Sequence, residues 1–147
     1  LREHLVKEWG AVIVEGQEAD DAVAIHATEL GYNNSIITSV DKDLDQLPGW
    51  HYNFVKDIAY HITPEEGMYR FYKQILTGDT ADNIIGLKGV GPIKAAKILE
   101  ECNGELDLYN ACVEAYAGNE ERVLENARLL WLRRYEGQMW EPPKETT

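Results

Sequence analysis

The sequence predicts an α/β fold in which a short parallel sheet is followed by a helical region. Two short apolar runs, residues 11–16 and 35–40, lie on either side of a helical pattern. Strand, helix and strand with short connections are typical of a βαβ unit. Further along the chain, apolar residues recur at helical spacing. We therefore expect two parts, with the sheet in residues 1–78 and helices in residues 79–147.

The predicted sheet takes up the first half of the chain. Residues 1–10 are typical of the end of an amphipathic helix that leads into the first strand. The helix between the two strands has Val23, Ala27 and Leu30 on one face and is followed by a glycine. Residues 51–63 alternate weakly and predict a further strand or a hairpin. The two strands predicted at residues 11–16 and 35–40 make only a narrow sheet, so we expect that part of the domain precedes this chain.

Four helices are predicted in the second half. Pro64 and Pro92 suit the first turn of a helix, where the missing N–H of proline costs no hydrogen bond. The helices take up residues 64–77, 92–99, 105–118 and 119–137. The last residues, 141–147, have no helical or strand pattern and are expected to be unstructured.

The composition excludes several classes of protein. The chain has 147 residues, of which 44% are hydrophobic, so it is long enough and apolar enough to bury a core. Its 2 cysteines are too few for a disulfide framework. No apolar run is long enough to span a bilayer, so no membrane association is expected. The net charge of −12 argues against nucleic acid unless bound cations offset the acids.

Acidic residues cluster at three places along the chain. These are Glu18, Asp20 and Asp21, then Asp41 and Asp43, and lastly Asp79 and Asp82. The first two groups follow the predicted strands and should meet at one edge of a parallel sheet, within reach of the third. Two unit charges 4 Å apart repel by about 4 kcal/mol at an effective dielectric constant near 20. Mg²⁺ or Mn²⁺ ions, which prefer oxygen ligands, would relieve this repulsion.

Each acidic group also has a simpler interpretation. The first suits the opening turn of a helix, where it would complement the dipole, and the third suits the cap of a turn. The second resembles a calcium loop, but Gln46 and Tyr52 stand where an EF-hand needs glycine and glutamate. A strand followed by Asp-x-Asp is also typical of aspartyl phosphatases, in which Asp41 would be the nucleophile. Three coincident groups favour one metal site over these alternatives.

A loop rich in glycine follows the third acidic group. Its position after a helix excludes a dinucleotide-binding turn, which would follow a first strand. Gly86, Gly89 and Gly91 suit a turn whose backbone approaches a phosphate closely. Lys94 or Lys97 on the next helix would complete an anion site. Such contacts hold nucleic acid by its backbone and do not select a base sequence.

Together the motifs resemble the 5′-nuclease family. The matching segments are "EGQEADD", "ITSVDKDLDQL" and "LTGDTADNIIGLKGVGPIKAAKIL", in the order that the family has them. The family comprises flap endonucleases, the 5′-exonuclease domain of bacterial DNA polymerase I and phage exonucleases. The resemblance implies a PIN-like α/β core, with residues 1–78 as its C-terminal part, and a helix–hairpin–helix variant within residues 79–147. The end of the chain is similar to phage exonucleases.

The resemblance also implies roles for individual residues. Glu18 and Asp20 match ligands of a first metal ion, and Asp21 matches an outer acid beside them. The second metal ion corresponds to Asp41, Asp43, Asp79 and Asp82, and Glu18, Asp20, Asp41, Asp43 and Asp79 are the expected catalytic residues. DNA would be held by Gly86, Lys88, Gly89, Gly91, Lys94 and Lys97, with K⁺ bound in the same loop.

The resemblance implies an enzyme that cuts DNA or RNA/DNA strands near a 5′ end, flap or duplex junction by a two-metal mechanism. It places the protein in the cytoplasm, that of the host if a phage encodes it. The family's first strand, first aspartate and helical arch have no counterpart here. We therefore expect a missing N-terminal fragment. The alternatives are a duplex-DNA-binding module without catalysis and the metal-dependent aspartyl phosphatase.

Overall fold

The computed structural model describes residues 1–145 and has the expected mixed α/β architecture. Its helices are α1 (Arg2–Trp9), α2 (Ala19–Leu30), α3 (Pro64–Thr77), α4 (Pro92–Leu99), α5 (Glu105–Ala115) and α6 (Glu120–Leu130). Its strands are β1 (Ile36–Thr38), β2 (Gly49–Asn53), β3 (Ile58–Ile62), β4 (Gly78–Asp79) and β5 (Ile84–Ile85). A short 3₁₀ turn, Lys42–Gln46, connects β1 to β2.

Three strands form the main sheet, in the order β1, β2, β3. β1 runs parallel to β2, and β2 and β3 form an antiparallel hairpin, which is one of the two structures that the alternation of residues 51–63 predicts. The sheet is therefore mixed and not purely parallel. A second, two-stranded ribbon of β4 and β5 follows α3.

The strand predicted at residues 11–16 is wrong. This segment has no regular structure, and Val12 is 84% exposed. A strand needs a hydrogen-bonded neighbour, and in the described residues β1 pairs only with β2. An apolar run without a pairing partner cannot satisfy its backbone as a strand.

The helix predicted before β1 is confirmed as α2, but of the three residues predicted on its apolar face only Ala27 is buried. Ala24 and Ala27 are buried, whereas Val23 and Leu30 are 38% and 45% exposed. The buried face is thus shifted by one residue towards the smaller side chains. This helix is held to the rest of the molecule by little apolar area.

The four predicted helices are confirmed: α3 and α4 have the predicted bounds, whereas α5 and α6 are shorter than predicted. Thr63 caps α3 by accepting a hydrogen bond from the N–H of Glu66, and Pro64 begins the helix as predicted. The chain leaves α3 at Gly78, whose φ of 74° is accessible to glycine. Residues 141–145 have neither helix nor strand, and the last two residues of the predicted unstructured tail lie outside the described residues.

Most of the buried apolar side chains form one cluster between α3, α4, α5 and α6, which we call the helical core. Its members are Phe71, Tyr72, Ile75, Leu76, Ala95, Leu99, Leu108, Tyr109, Cys112, Tyr116, Val123, Ala127, Leu130 and Trp140. Trp131 also packs against it, with its ring centroid 5.0 Å from that of Phe71. The helical core therefore supplies most of the hydrophobic stabilisation of the chain.

A second and smaller cluster lies between α2, β1 and the 3₁₀ turn, and we call it the small core. Its members are Ala24, Ala27, Ile37, Leu44, Leu47 and Leu132. Leu132 comes from the segment that follows α6, far along the chain from the other members. In the part of the chain that the structure describes, no helix has the length and apolar character needed to cross a membrane.

Candidate metal and nucleic-acid site

The second acidic group lies at the start of the 3₁₀ turn. Asp41 is the N-cap residue, and its Oδ1 accepts a hydrogen bond of 2.9 Å from the N–H of Asp43. The N–H of Asp41 donates in turn to Oγ of Ser39 at 3.0 Å. These local bonds fix the direction in which both carboxylates leave the turn.

The third acidic group lies in the tight turn between β4 and β5. Oδ1 of Asp79 accepts hydrogen bonds from the N–H groups of Ala81 and Asp82, at 2.9 and 3.3 Å. Its Oδ2 accepts from the side-chain amide of Gln74 at 3.3 Å. The turn-capping role considered for this group is therefore present. It does not exclude a metal, since Oδ2 of Asp79 accepts only one of these bonds and keeps a second lone pair.

The second and third groups meet in space. One carboxylate oxygen from each of Asp43, Asp79 and Asp82 lies within 4.8 Å of the others. Asp43 and Asp79 are half-buried and Asp82 is exposed. The 3₁₀ turn and the β4–β5 turn thus bring together residues that are almost 40 positions apart.

The first acidic group joins them from the start of α2. Burial raises the pKa of Asp20 above its usual value, and the negative charges of Asp41, Glu18, Asp21 and Asp82 raise it further. Glu18 is the exposed N-cap residue of α2. Members of all three groups therefore act on Asp20 at once, and the acids share one region of the molecule.

Asp43 experiences the same crowding. Burial raises its pKa first, and the charges of Asp41, Asp79 and Asp82 add to the effect, while a hydrogen bond from the amide of Gln74 opposes it. A raised pKa means that the charged form of a carboxylate is destabilised relative to its protonated form. A bound cation would reverse that penalty.

The donor set fits hard divalent ions. The three side chains whose oxygens lie closest together, those of Asp43, Asp79 and Asp82, are all carboxylates. Oxygen ligands of this kind suit Mg²⁺ and Mn²⁺. The structure therefore groups three of the predicted metal residues, Asp43, Asp79 and Asp82, through two turns and not through the ends of two parallel strands. That these residues, with Glu18, Asp20, Asp21 and Asp41, bind metal ions stays a prediction.

The glycine loop connects β5 to α4. Gly86 packs so closely on the backbone of residues 76–78 that a Cβ would overlap with it. Gly89 has φ +76°, which favours glycine. Gly91 has an ordinary φ of −92° and open space where a Cβ would be, so the fold itself does not require glycine there.

The cationic side chains predicted for this region are exposed. Lys88 lies in the loop, and Lys94 and Lys97 lie one turn apart on α4. Gly91, at the N-cap of α4, has no side chain with which to cap the first N–H groups of the helix. The loop and the helix end are therefore accessible to an anion. That this loop is a helix–hairpin–helix variant stays a prediction.

A groove of about 870 Å³ connects the acids to the start of α4. Asp43 and Asp79 lie on its wall with Lys42, Arg70 and Lys73, and Pro92 lies there as well. Sequence reasoning missed Arg70 and Lys73. Their spacing of three residues on the polar face of α3 is the signal that could have found them.

Two buried or half-buried glutamines were also missed. Gln74 bonds to Asp79, and Gln46, which is 5% exposed, bonds to the segment after α6. Only Gln46 carried a sequence signal, since it lies with Asp45 between Leu44 and Leu47, which are both buried. Two tryptophans near the end of the chain, Trp131 and Trp140, pack against or within the helical core.

Known proteins resemble this chain in sequence. DNA polymerase I of Rhizobium leguminosarum is 37% identical over 135 residues, which cover 82% of this chain and 13% of that protein. DNA polymerase I of Thermus aquaticus is 38% identical over 100 residues, or 60% of this chain and 12% of that protein. Flap endonuclease Xni of Shewanella denitrificans is 29% identical over 123 residues, or 76% of this chain and 49% of that protein.

The chain is a homologue of DNA polymerase I and of flap endonuclease Xni. The resemblance to the 5′-nuclease family that the motifs predict is thereby confirmed. This homologue spans about an eighth of the length of the polymerases and about half that of Xni. No family model matches the chain.

Solved structures agree on the fold of this chain. The phage T5 flap endonuclease in complex with DNA and metal ions has a TM-score of 0.71 at 22% identity, covering 88% of this chain and 55% of that one. The phage T5 5′-exonuclease with bound zinc has a TM-score of 0.66 at 23% identity, covering 80% of this chain and 51% of that one. At this identity the likeness establishes the shared fold.

Proposed function

We propose that this chain carries the metal-binding and duplex-binding parts of a 5′-nuclease that hydrolyses DNA phosphodiesters near a 5′ end or flap. The observation that carries the proposal is the convergence of Asp43, Asp79 and Asp82, whose carboxylate oxygens lie within 4.8 Å of one another. The homologues include a flap endonuclease, and a neighbour of the same fold was solved with DNA and metal ions.

In this proposal the acids hold two divalent ions, Mg²⁺ or Mn²⁺. Glu18 and Asp20 would serve one ion, with Asp21 beside them, while Asp41, Asp43, Asp79 and Asp82 would serve the other. Two ions of this kind activate a water molecule and stabilise charge on the attacking and leaving oxygens. The raised pKa of Asp20 and of Asp43 supports the proposal, because a bound cation would favour their charged forms.

The remaining residues would position the DNA. Lys42, Arg70 and Lys73 line the groove between the acids and α4, where they would attract the phosphates of one strand. Gly91 would let the backbone of the loop approach a second phosphate, with Lys88, Lys94 and Lys97 around it, and K⁺ in the loop. These contacts explain how a chain of net charge −12 could bind a polyanion.

The two parts predicted from the sequence would then have different tasks. Residues 1–78 would supply the first two acidic groups and the cationic residues of the groove, and residues 79–147 would supply the glycine loop and α4, which bind the DNA backbone. Asp79 and Asp82 belong to the second part by position and complete the metal site of the first. Such an enzyme would act in the cytoplasm, that of the host if a phage encodes it.

Asn substitutions at Asp41 and Asp79 test the proposal. We expect cleavage of a 5′-flap DNA in Mg²⁺ or Mn²⁺ to fall by at least about 100-fold in either variant, with duplex binding retained. Glu114→Gln is the control, since Glu114 is exposed on α5 and its substitution removes the same unit charge.

The possible results separate the three functions. Equal cleavage by the wild type and both Asn variants would contradict the site assignment. Duplex binding without any cleavage by the wild type, alone or with added N-terminal part of a homologue, would favour the binding module. A covalent phosphate on Asp41, detected by mass spectrometry, would favour the phosphatase.

A further inference from the structure

The segment after α6 returns to the elements that carry the first two acidic groups. We call Leu130–Arg134, which comprises the last residue of α6 and the four residues after it, the C-terminal strap. The side chain of Leu132 is 7% exposed and belongs to the small core. Its partners there come from α2, β1 and the 3₁₀ turn with its flanking residue: Ala24, Ala27, Ile37, Leu44 and Leu47. Leu132 thus packs in the same apolar cluster as residues of α2 and of the 3₁₀ turn.

Gln46, the last residue of the 3₁₀ turn, holds the strap through both ends of its side-chain amide. Its Nε2 donates to the carbonyl oxygen of Leu130 at 2.9 Å, and its Oε1 accepts from the N–H of Leu132 at 2.9 Å. Gln46 is only 5% exposed, so these bonds are shielded from water. Asp43 lies three residues earlier in the same short turn.

The strap also reaches α2. The N–H of Arg133 donates to Oδ1 of Asp21 at 2.9 Å. The far end of the strap is fixed as well, since the guanidinium of Arg134 lies 4.3 Å from the centroid of the Trp131 ring, which packs on the helical core. One segment of five residues therefore contacts both acid-bearing elements and is itself anchored elsewhere.

We propose that the C-terminal strap is the positioning element of the metal site, holding α2 against the 3₁₀ turn and so setting the distance between the first and second acidic groups. The inference rests on the proposed function. Two observations support it. α2 buries only Ala24 and Ala27, so little apolar area attaches this helix to the 3₁₀ turn. The acids of α2 also lie near those of the turn, and their like charges repel. Without the strap, little would hold the like charges together. Gln46 and Leu132 are then positioning residues, and neither need touch a metal ion.

Substitutions in the strap test the inference through metal binding. We expect Leu132→Ala and Gln46→Met to raise the Mn²⁺ concentration for half-saturation by about tenfold, measured by the electron paramagnetic resonance of free Mn²⁺ without DNA. Leu108→Ala is the matched control, since Leu108 is also 7% exposed but lies in the helical core. All variants are measured below the temperature at which any of them begins to unfold. We expect Leu108→Ala to leave the half-saturation within about twofold of the wild type.

Hydrogen exchange of metal-free protein gives a second, independent measurement. We expect amides of α2 to exchange faster in Leu132→Ala than in the wild type, and to be unchanged in Leu108→Ala. Unchanged Mn²⁺ binding in both strap variants, or an equal loss in Leu108→Ala, would overturn the positioning role. A wild-type chain that binds no Mn²⁺ would refute the proposed function instead, and the α2 exchange would still decide whether the strap holds that helix.

Discussion

The helical core and the small core differ in what they are built to do. The helical core buries large aromatic and aliphatic side chains, among them Phe71, Tyr72 and Trp140. The small core buries two alanines and four larger aliphatic residues, beside a group of carboxylates. A region that must keep like charges close together has little apolar area with which to do so. Its integrity depends on Leu132, which the chain supplies only after completing the helical core.

The difference suggests that stability and function are located in different places. Elements with few buried contacts are those that open locally at low free energy. The first acidic group lies on such an element, α2, whereas the helical core supplies a scaffold from which the strap reaches back. Substitutions in the two regions should therefore have distinct consequences.

The largest expected effect is on global stability. Phe71→Ala should lower the free energy of unfolding by about 3–5 kcal/mol, because Phe71 is 1% exposed in the helical core. Ile37→Ala in the small core should cost about 2 kcal/mol, since a smaller and more exposed site relaxes more easily. Urea denaturation followed by circular dichroism measures both. An equal cost at the two positions would remove the contrast between the cores.

Alanine substitution should destabilise the chain at one glycine of the loop and have little effect on stability at another. Gly86→Ala should destabilise the chain by about 2 kcal/mol, because the new Cβ overlaps with the backbone of residues 76–78. Gly91→Ala should change stability by less than about 0.5 kcal/mol, since open space surrounds it. If Gly91 approaches a phosphate, its substitution should still weaken duplex binding by roughly tenfold, as measured by fluorescence anisotropy. Unchanged duplex binding would refute that role for Gly91.

Removing one charge should stabilise the metal-free site. Asp20→Asn should raise the unfolding temperature at pH 7 in EDTA by on the order of 2 °C, because neighbouring acids and burial disfavour the charged form of Asp20. Added Mn²⁺ should reverse the order, stabilising the wild type more than the variant. Glu114→Gln, far from the crowded acids, serves as the control. A lower unfolding temperature for Asp20→Asn in EDTA would contradict the crowding.

The smallest effect concerns pH. The pKa values of Asp20 and Asp43 are raised above 3.8 in the folded state, so the folded chain binds more protons than the unfolded chain between those values. The contribution of these two groups to stability is therefore present at low pH and is lost as pH rises through their folded pKa values. Differential scanning calorimetry in EDTA should find a smaller decline with pH in Asp20→Asn than in the wild type. Parallel profiles would mean that Asp20 does not contribute.

Local signals made much of the fold predictable. Pro64 and Pro92 mark helix starts because proline suits the first turn, and the structure begins α3 and α4 at those residues. The weak alternation of residues 51–63 predicts a further strand or a hairpin, and the structure has the β2–β3 hairpin there. These features depend on neighbours a few positions away, which a sequence displays directly.

The prediction of secondary structure and of burial failed where packing against distant residues decides the local structure. Residues 11–16 have the composition of a strand, yet no described strand pairs with them. The same limit applies to α2, since a helical pattern does not say which neighbour will cover Ala24 rather than Val23. Tertiary packing overrides propensity in both places.

The sequence by itself determined the chemistry of this protein: three groups of carboxylates, a glycine loop and the helices between them. It could do so because residue type and short spacing decide which ions and which turns are favourable. Only the tertiary structure decided how the acids meet, through α2, two tight turns and a segment more than 80 residues downstream of Gln46. That arrangement depends on contacts between distant parts of the chain, for which one sequence contains no local signal.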